Sequence, residues 1–342
     1  MAIQSSEIKW YKPLNVSDTN SNGGPMSHIE IPDNVKNNVW PDVPQAERTT
    51  GSTKYRKTFI KIANDDDLPL IAPRIFIETP TPGDDLVVLM EGTQTDTQTQ
   101  AITYARCYGC GQLESDALSG DTTIPVMVEN GNNLAGNGIF QTNDLIRISD
   151  KEHVNAVTGN TQFLRLAASN AVSWNGNLAT LTLASSNTLE FNFSATNTRV
   201  ASVIETDDIT TSITGWQEST TAGTYNETTH PVTCDHIGTI EENWTLTFSN
   251  ATQFTCAGAR VGTVGSGSIS SSFAPNNPNF NKPYFTLSGG TPPWGGTWAS
   301  GDTLSWTTHP AAVAIWEKRQ VPAGTNSHAG NKVVVAISGE SA

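Results

Sequence analysis

The chain has 342 residues, with 19 Lys and Arg against 33 Asp and Glu and a net charge of −14. Such a balance argues against a phosphate-gripping nucleic-acid binder, which needs clustered Lys and Arg in excess. A length beyond the usual roughly 100–200 residues of one domain points to two or three domains.

With only 15% of residues charged, the surface is expected to stay soluble through Thr, Ser, Asn, Gln and Gly and through acidic repulsion. The opening stretch MAIQSSEIKWYKP has no basic start, apolar run or small-residue cleavage site, and nothing approaches the roughly 18 apolar residues of a membrane helix. The expectation is a soluble chain made in a cytoplasm, with no membrane partner. Four cysteines are too few for a disulfide scaffold, which fits a reducing compartment.

In chain order, the N-terminal residues and SNGGPMSHIEIPDNVKNNVWPDVP are rich in Asn, Asp, Gly and Pro and read as an extended arm. PQAERTT is a single helical turn, with Pro44 where the first turn tolerates it. Strands near 53–63, 73–79, 86–91 and 101–107 would complete a first sandwich domain, residues 1–115. A middle, barrel-like domain spans 116–205, with DLIRISD, QFLRLA and the pair Asn175–Gly176, whose tolerance of positive φ is a strong hairpin signal. TLEFNF alternates there through Leu189, Phe191 and Phe193. A third sandwich spans 206–342. In it NWTLTFSN places Trp244, Leu246 and Phe248 on one face, as a half-buried strand requires. GDTLSWTTH does the same with Leu304 and Trp306, and KVVVAIS with Val333, Val335 and Ile337. GSGSISSSFAPNNPNFNKP reads as a long loop. The fold class is therefore all-β: two or three sandwich or barrel-like domains behind an extended arm, with a two-domain division, the middle segment being an insertion, as the alternative.

The pair Cys107 and Cys110 in TYARCYGCGQLE has the spacing of a zinc knuckle, and the remaining ligands would have to come from Cys234, Cys256, His230 or His236. That second half lacks a tight pair, so the favoured reading is small buried thiols at a strand-to-turn junction, bent by Gly109 and Gly111. A redox role would want the first Cys at a helix N-terminus. Asp65, Asp66, Asp67, Asp84 and Asp85 fall at expected turns, which Asp stabilises by bonding its own backbone. The run DTNSNGG alternates oxygen ligands but lacks the closing Glu of a calcium loop. Six histidines are scattered, no G-x-S-x-G elbow or phosphate loop is present, and GTVGSGSIS reads as a flexible loop. A carboxylate pair for glycan hydrolysis is a spatial feature that nothing here favours. The basic stretch Lys54, Arg56, Lys57 and Lys61, with Arg48 upstream, reads as a solvated strand or a protein contact. Trp306 belongs to a strand core. Trp294, after two prolines and before two glycines, is the tryptophan expected at the surface, where with Trp298 it would stack on a sugar or pack on a neighbouring subunit.

Two stretches, SNGGPMS…NNVWPDVPQAERTTGSTKYRKTFIKIAND and WEKRQVPAGTNSHAGNKVVVAISGESA, together with FAPNNPNFNKPYFTL…WGGTWASGDTLSWTTHPAAVAIW, resemble a family of structural proteins encoded in the virion-assembly regions of tailed bacteriophages and prophages. The likeness covers most of the chain and carries no catalytic signature. It implies a non-enzymatic virion component of neck, collar, tail or baseplate, made in the host bacterial cytoplasm. Its partners would be copies of itself and other virion proteins, with no cofactor and no direct nucleic-acid contact. The residues expected at its interfaces are Trp40, Ile29, Ile31, Arg56 and Trp294, with Trp40 either anchoring the arm on a neighbour or stapling it to its own domain. A carbohydrate-binding adhesin or receptor-binding tail component is the alternative.

Overall fold

The computed structural model describes residues 2–129 and 138–341, and its regular elements are almost all strands. The N-terminal third supplies β1 (Ile8–Asn15), β2 (Gly23–Glu30), helix α1 (Gln45–Thr50), β3 (Ser52–Ile62), β4 (Leu70–Thr79), β5 (Leu86–Glu91), helix α2 (Gln98–Ala101) and β6 (Cys110–Leu113). Next come β7 (Thr123–Met127), β8 (Leu145–Ser149), β9 (Thr161–Arg165), β10 (Val172–Asn175), β11 (Leu178–Thr182), β12 (Arg199–Ser202) and β13 (Ile204–Glu205). A further group holds β14 (Ser212–Glu218), β15 (Gly223–Tyr225), β16 (Glu242–Phe248), β17 (Gln253–Gly258), β18 (Gly262–Ser268), β19 (Asn276–Asn277), β20 (Lys282–Pro283), β21 (Trp294–Gly296) and β22 (Thr303–His309). β23 (Ala312–Val321) and β24 (Val334–Ser341) come last.

All the pairings are antiparallel. One sheet has the order β2-β1-β3-β23-β5, and a three-stranded sheet has the order β13-β4-β24. β23 runs the whole length of β3, from Ala312 opposite Lys61 to Val321 opposite Ser52, while β24 pairs along β4. The expected third unit of 206–342 is corrected accordingly: residues 312–341 complete the sheets begun by β3 and β4, and 212–309 lie between them as an insertion. Periodicity identifies a strand but carries no information about which strand fills its open ladder.

The middle segment forms a seven-stranded sheet of order β10-β11-β7-β6-β12-β8-β9. It is an open sheet rather than the expected barrel, with a lone bridge between Leu166, just past β9, and Leu183, just past β11. Its apolar face shares one core with the first sheet, since Val88, Met90 and Trp316 cluster with Ile124, Val126, Ile148 and Leu181. The Asn175–Gly176 turn joins β10 to β11, with Gly176 at φ 59° as a tight hairpin requires.

The insertion is built on the sheet β14-β22-β16-β17-β18. Its core is its own: Trp244, Leu246, Phe248, Phe254, Phe285, Trp294, Trp298 and Trp306 pack together. Three local expectations need correction. GTVGSGSIS is largely strand β18 rather than loop, because the bare backbone of Gly267 lets the rings of Phe254 and Phe273 pack close against it. Of the expected strand 101–107, Ala101 ends α2, which is capped by Thr97 and Gln100, and residues 102–107 are irregular. TLEFNF is no strand: Leu189 and Phe193 are buried, but Phe191 is 38% exposed and the backbone contacts are interrupted, Leu189 bonding Gly120 and Asp121 and Phe193 bridging to Ala117.

Candidate functional site

The four cysteines do not converge. Cys107 lies in the core containing Val88 and Trp316, whereas Cys110 lies in another with Ile75 and Ala201, so the two thiols of the CxxC serve different clusters. Cys256 sits inside the insertion core and Cys234 beside it. All four are free thiols. Burial pushes Cys110 and Cys256 up to about 12 and raises Cys107 as well, which removes the thiolate that a metal or an oxidant would need. Among the described residues, no group of three or more His, Cys, Asp or Glu side chains is placed to hold a metal ion. His236 is enclosed, its backbone N–H donating to Asp67 Oδ1 (2.7 Å) and its Nε2 paired with Thr210 Oγ1 (3.2 Å).

The basic stretch is the largest departure from expectation. On the strand register, Lys54, Arg56 and Thr58 share one face of β3 with Arg319, Glu317 and Ile315 of β23. The opposite face carries Lys57, Phe59 and Lys61. Lys57 and Lys61, expected in solvent, are fully buried, and Arg56 is 7% exposed. The reason is that both faces of this sheet are covered, so the charges are answered internally.

Lys57 Nζ lies 2.6 Å from Asp96 Oδ1 and donates to Gly24 O (2.8 Å). Tyr104 and Trp316 both donate to Asp96 Oδ2 (2.6 and 2.8 Å). Burial alone would raise the Asp96 carboxyl, but these donors outweigh it and hold it below the usual carboxylate range, while burial brings Lys57 down to about 8. Among the described residues, Lys61 has no carboxylate within ion-pair distance, Asp235 acting on it only from further off. Its Nζ donates to Ile237 O (2.6 Å) and Thr239 O (3.4 Å) of the insertion, under the ring of Phe280 at 4.5 Å, and burial lowers it to about 7. This lysine ties the first sheet to the insertion, helped by Lys282 to Asp65 at 2.7 Å and by the Asp67–His236 bond. The acidic turn therefore does more than turn.

On the other face, the Trp40 ring is clasped by the guanidinium groups of Arg56 (5.1 Å) and Arg319 (4.5 Å), and its Nε1 donates to Glu317 Oε2 (2.7 Å). Trp40 thus staples the arm to its own sheet, the second of the two roles expected for it. Arg56 also bonds Asp18 (2.7 Å) and the carbonyl of Ser17, so this interface residue too is engaged within the chain. No sequence signal singles out Glu317 and Arg319, because the run Glu317-Lys318-Arg319 in WEKRQV places charge on both faces of a strand alike.

Trp294 is 2% exposed and Trp298 1%, against the expectation of a surface indole. β21 pairs with β15 and turns Trp294 inward, where Nε1 donates to Ser288 O (2.9 Å). Trp298 stacks on Phe248 at 4.3 Å in the space left by the missing side chain of Gly223. The aromatic groove that would mark a sugar-binding adhesin is not formed by these two residues. A hollow lined by Asp150, Glu152 and Arg199 places two carboxylates near a guanidinium, but Arg199 is spent on Thr79 Oγ1 and on the carbonyls of Lys151 and Glu152.

What remains outward is the N-terminal hairpin. β2 is an outer strand of its sheet, and Ile29 upon it is 52% exposed; Leu14 at 68%, Val16 at 47% and Val35 at 50% lie in the same N-terminal segment. Ile31 is half-buried. At the opposite margin of that sheet, β5 is bridged through Leu89 to Tyr108. Comparison with protein-family models, with curated proteins and with solved structures finds no match to this chain.

Proposed function

We propose that this chain is a non-enzymatic structural subunit of a tailed-phage virion, assembling as a ring or decoration at the neck, collar or tail through contacts with copies of itself and with other virion proteins. The observation that carries the reading is where apolar surface is left. Among the described residues, four of the nine exposed large hydrophobic side chains, Leu14, Val16, Ile29 and Val35, fall in one N-terminal segment. Trp244, Trp294, Trp298, Trp306 and Trp316, and the charged residues Arg56, Lys57, Lys61, Glu317 and Arg319, are committed to internal packing. A concentration of exposed apolar residues with a polar rim is the ordinary signature of a protein–protein contact. The sequence resemblance supplies the kind of assembly, and the acidic charge suits it, because like-charged subunits associate only where a complementary patch overcomes their repulsion.

The test is a cryo-EM reconstruction of the particle from a phage encoding this chain. Density for the chain in a symmetric ring or decoration, with the N-terminal segment against a neighbour, supports the proposal. A particle lacking it, or a purified monomer that turns over a substrate, overturns it.

A further inference from the structure

The exposed edge of β2 has a chemistry that suits one partner in particular. Ile31 N–H donates to Trp10 O (2.7 Å) beside the Tyr11–Glu30 pair. In an antiparallel ladder this makes Tyr11–Glu30 a non-hydrogen-bonded pair, so the N–H and C=O of Glu30 point away from β1 toward solvent. His28, Ile29 and Glu30 are all exposed. Near its start β2 is already engaged, Gly24 N–H donating to Asp96 O (2.8 Å), and Pro25 within it and Pro32 just past it lack the N–H a ladder needs, which confines any added strand to residues 27–31. Between Met26 and Glu30 the strand bulges, three residues facing the single Lys12 of β1, and Ile29, adjacent to Glu30, stands on the face opposite it and Tyr11. Lone exposed apolar residues are common, but an apolar side chain on an unpaired edge is the feature that native edges ordinarily suppress with charge.

We propose that β2 pairs antiparallel with β2 of a second copy of this chain, about a two-fold axis through Ile29. This register sets Ile29 against its own copy and His28 against Glu30 of the other chain, at both ends of the axis. Glu30 Oε1 accepts from Lys9 Nζ (3.1 Å) in a half-exposed pair, which leaves Oε2 for the incoming imidazole. A shift by one residue would instead set His28 against the apolar Ile29 and lose both the apolar and the polar match, so the register is specified by the side chains. A five-residue ladder is a small interface, weak alone and strengthened when other contacts hold the copies together.

This inference rests on the reading of the chain as an assembly subunit and deepens it by naming one contact. It is tested by sedimentation of the full chain and of two variants, Ile29→Lys and Ile29→Asp, alone and mixed in equal amounts. Because Ile29 is already half in solvent, circular dichroism of both variants should match the parent. Each variant alone places like charges across the axis, and association should fall by about tenfold or more. The mixture places Lys opposite Asp and should recover dimer. A parent chain that stays monomeric, or a dimer indifferent to both substitutions, or variants that fail to recover on mixing, overturns the pairing. Incorporation of the chain into particles despite such a result would leave the assembly reading standing, so the two fail separately.

Discussion

The insertion of residues 212–309 and the first sheet solve the same problem, burying a β-sheet, with different materials. The insertion core is aromatic: Trp244, Trp294, Trp298 and Trp306 interlock with Phe248, Phe254 and Phe285 at ring separations of 4.3–5.9 Å. The first sheet buries Arg56, Lys57, Lys61, Glu317 and Arg319 among its apolar residues. Apolar burial is non-directional and indifferent to protons, whereas enclosed ions stabilise only when every partner is in place. One part of the molecule should therefore be robust to pH and sensitive to volume, and the other the reverse.

Volume is where that contrast breaks most visibly. Trp294→Ala opens a cavity in the insertion and should cost ~3–5 kcal/mol, measured by denaturant unfolding followed through tryptophan fluorescence, with little change in the loss between pH 5 and pH 9. Asp96→Ala should cost nearly as much, ~3–5 kcal/mol, because Lys57 is left as an uncompensated buried charge. Adding Lys57→Met in that background should recover most of the loss, a coupling that a pure packing defect would not show.

Smaller effects sharpen the comparison through pH. Lys61 is lowered by burial from 10.5 to about 7, so between these values the unfolded chain binds more protons than the folded one. Stability should therefore rise with pH across that window, and Lys61→Met should flatten the rise. Lys57, lowered to about 8, contributes in the same direction and should leave a residual slope. Glu317 works oppositely. Burial raises it from 4.5 to about 7, against the lowering effect of the Trp40 donor and of Arg56 and Arg319. The folded state then holds the extra proton, stability should fall as pH rises from 4.5 to 7, and Glu317→Gln should remove that fall. The smallest change is Trp40→Ala, expected to cost ~1–3 kcal/mol through the lost bond to Glu317 and the lost clasp of two arginines. It should leave sedimentation unchanged, as a staple within one chain requires.

The sequence made the strands legible wherever alternation was strict and one face was buried. Trp244, Leu246 and Phe248, the Asn175–Gly176 turn and the short helix after Pro44 all stand where expected. Partners of strands were not legible. Nothing in WEKRQV says that it lies along STKYRKTFIKI some 260 residues earlier, because ladder bonds are made by backbone, which is the same everywhere. Strand β18 was hidden because Gly and Ser are poor strand formers, and its support comes from Phe254 and Phe273 packing over it. Lys57 and Lys61 read as solvated because charge normally is, and the Asp96 carboxylate and insertion carbonyls that answer them lie 39 and 176–178 residues away in sequence. Trp294 read as exposed because its turn residues were visible and its pairing with Tyr225 was not.

The central claim is that contact with other copies is made through the N-terminal hairpin while the insertion keeps its aromatic residues to itself. Hydrogen–deuterium exchange of the full chain, free and assembled, tests this most directly. Slowed exchange on assembly within residues 8–31, with residues 242–258 unchanged, is the expected result. Protection gained in the insertion strands with none in the hairpin would contradict it.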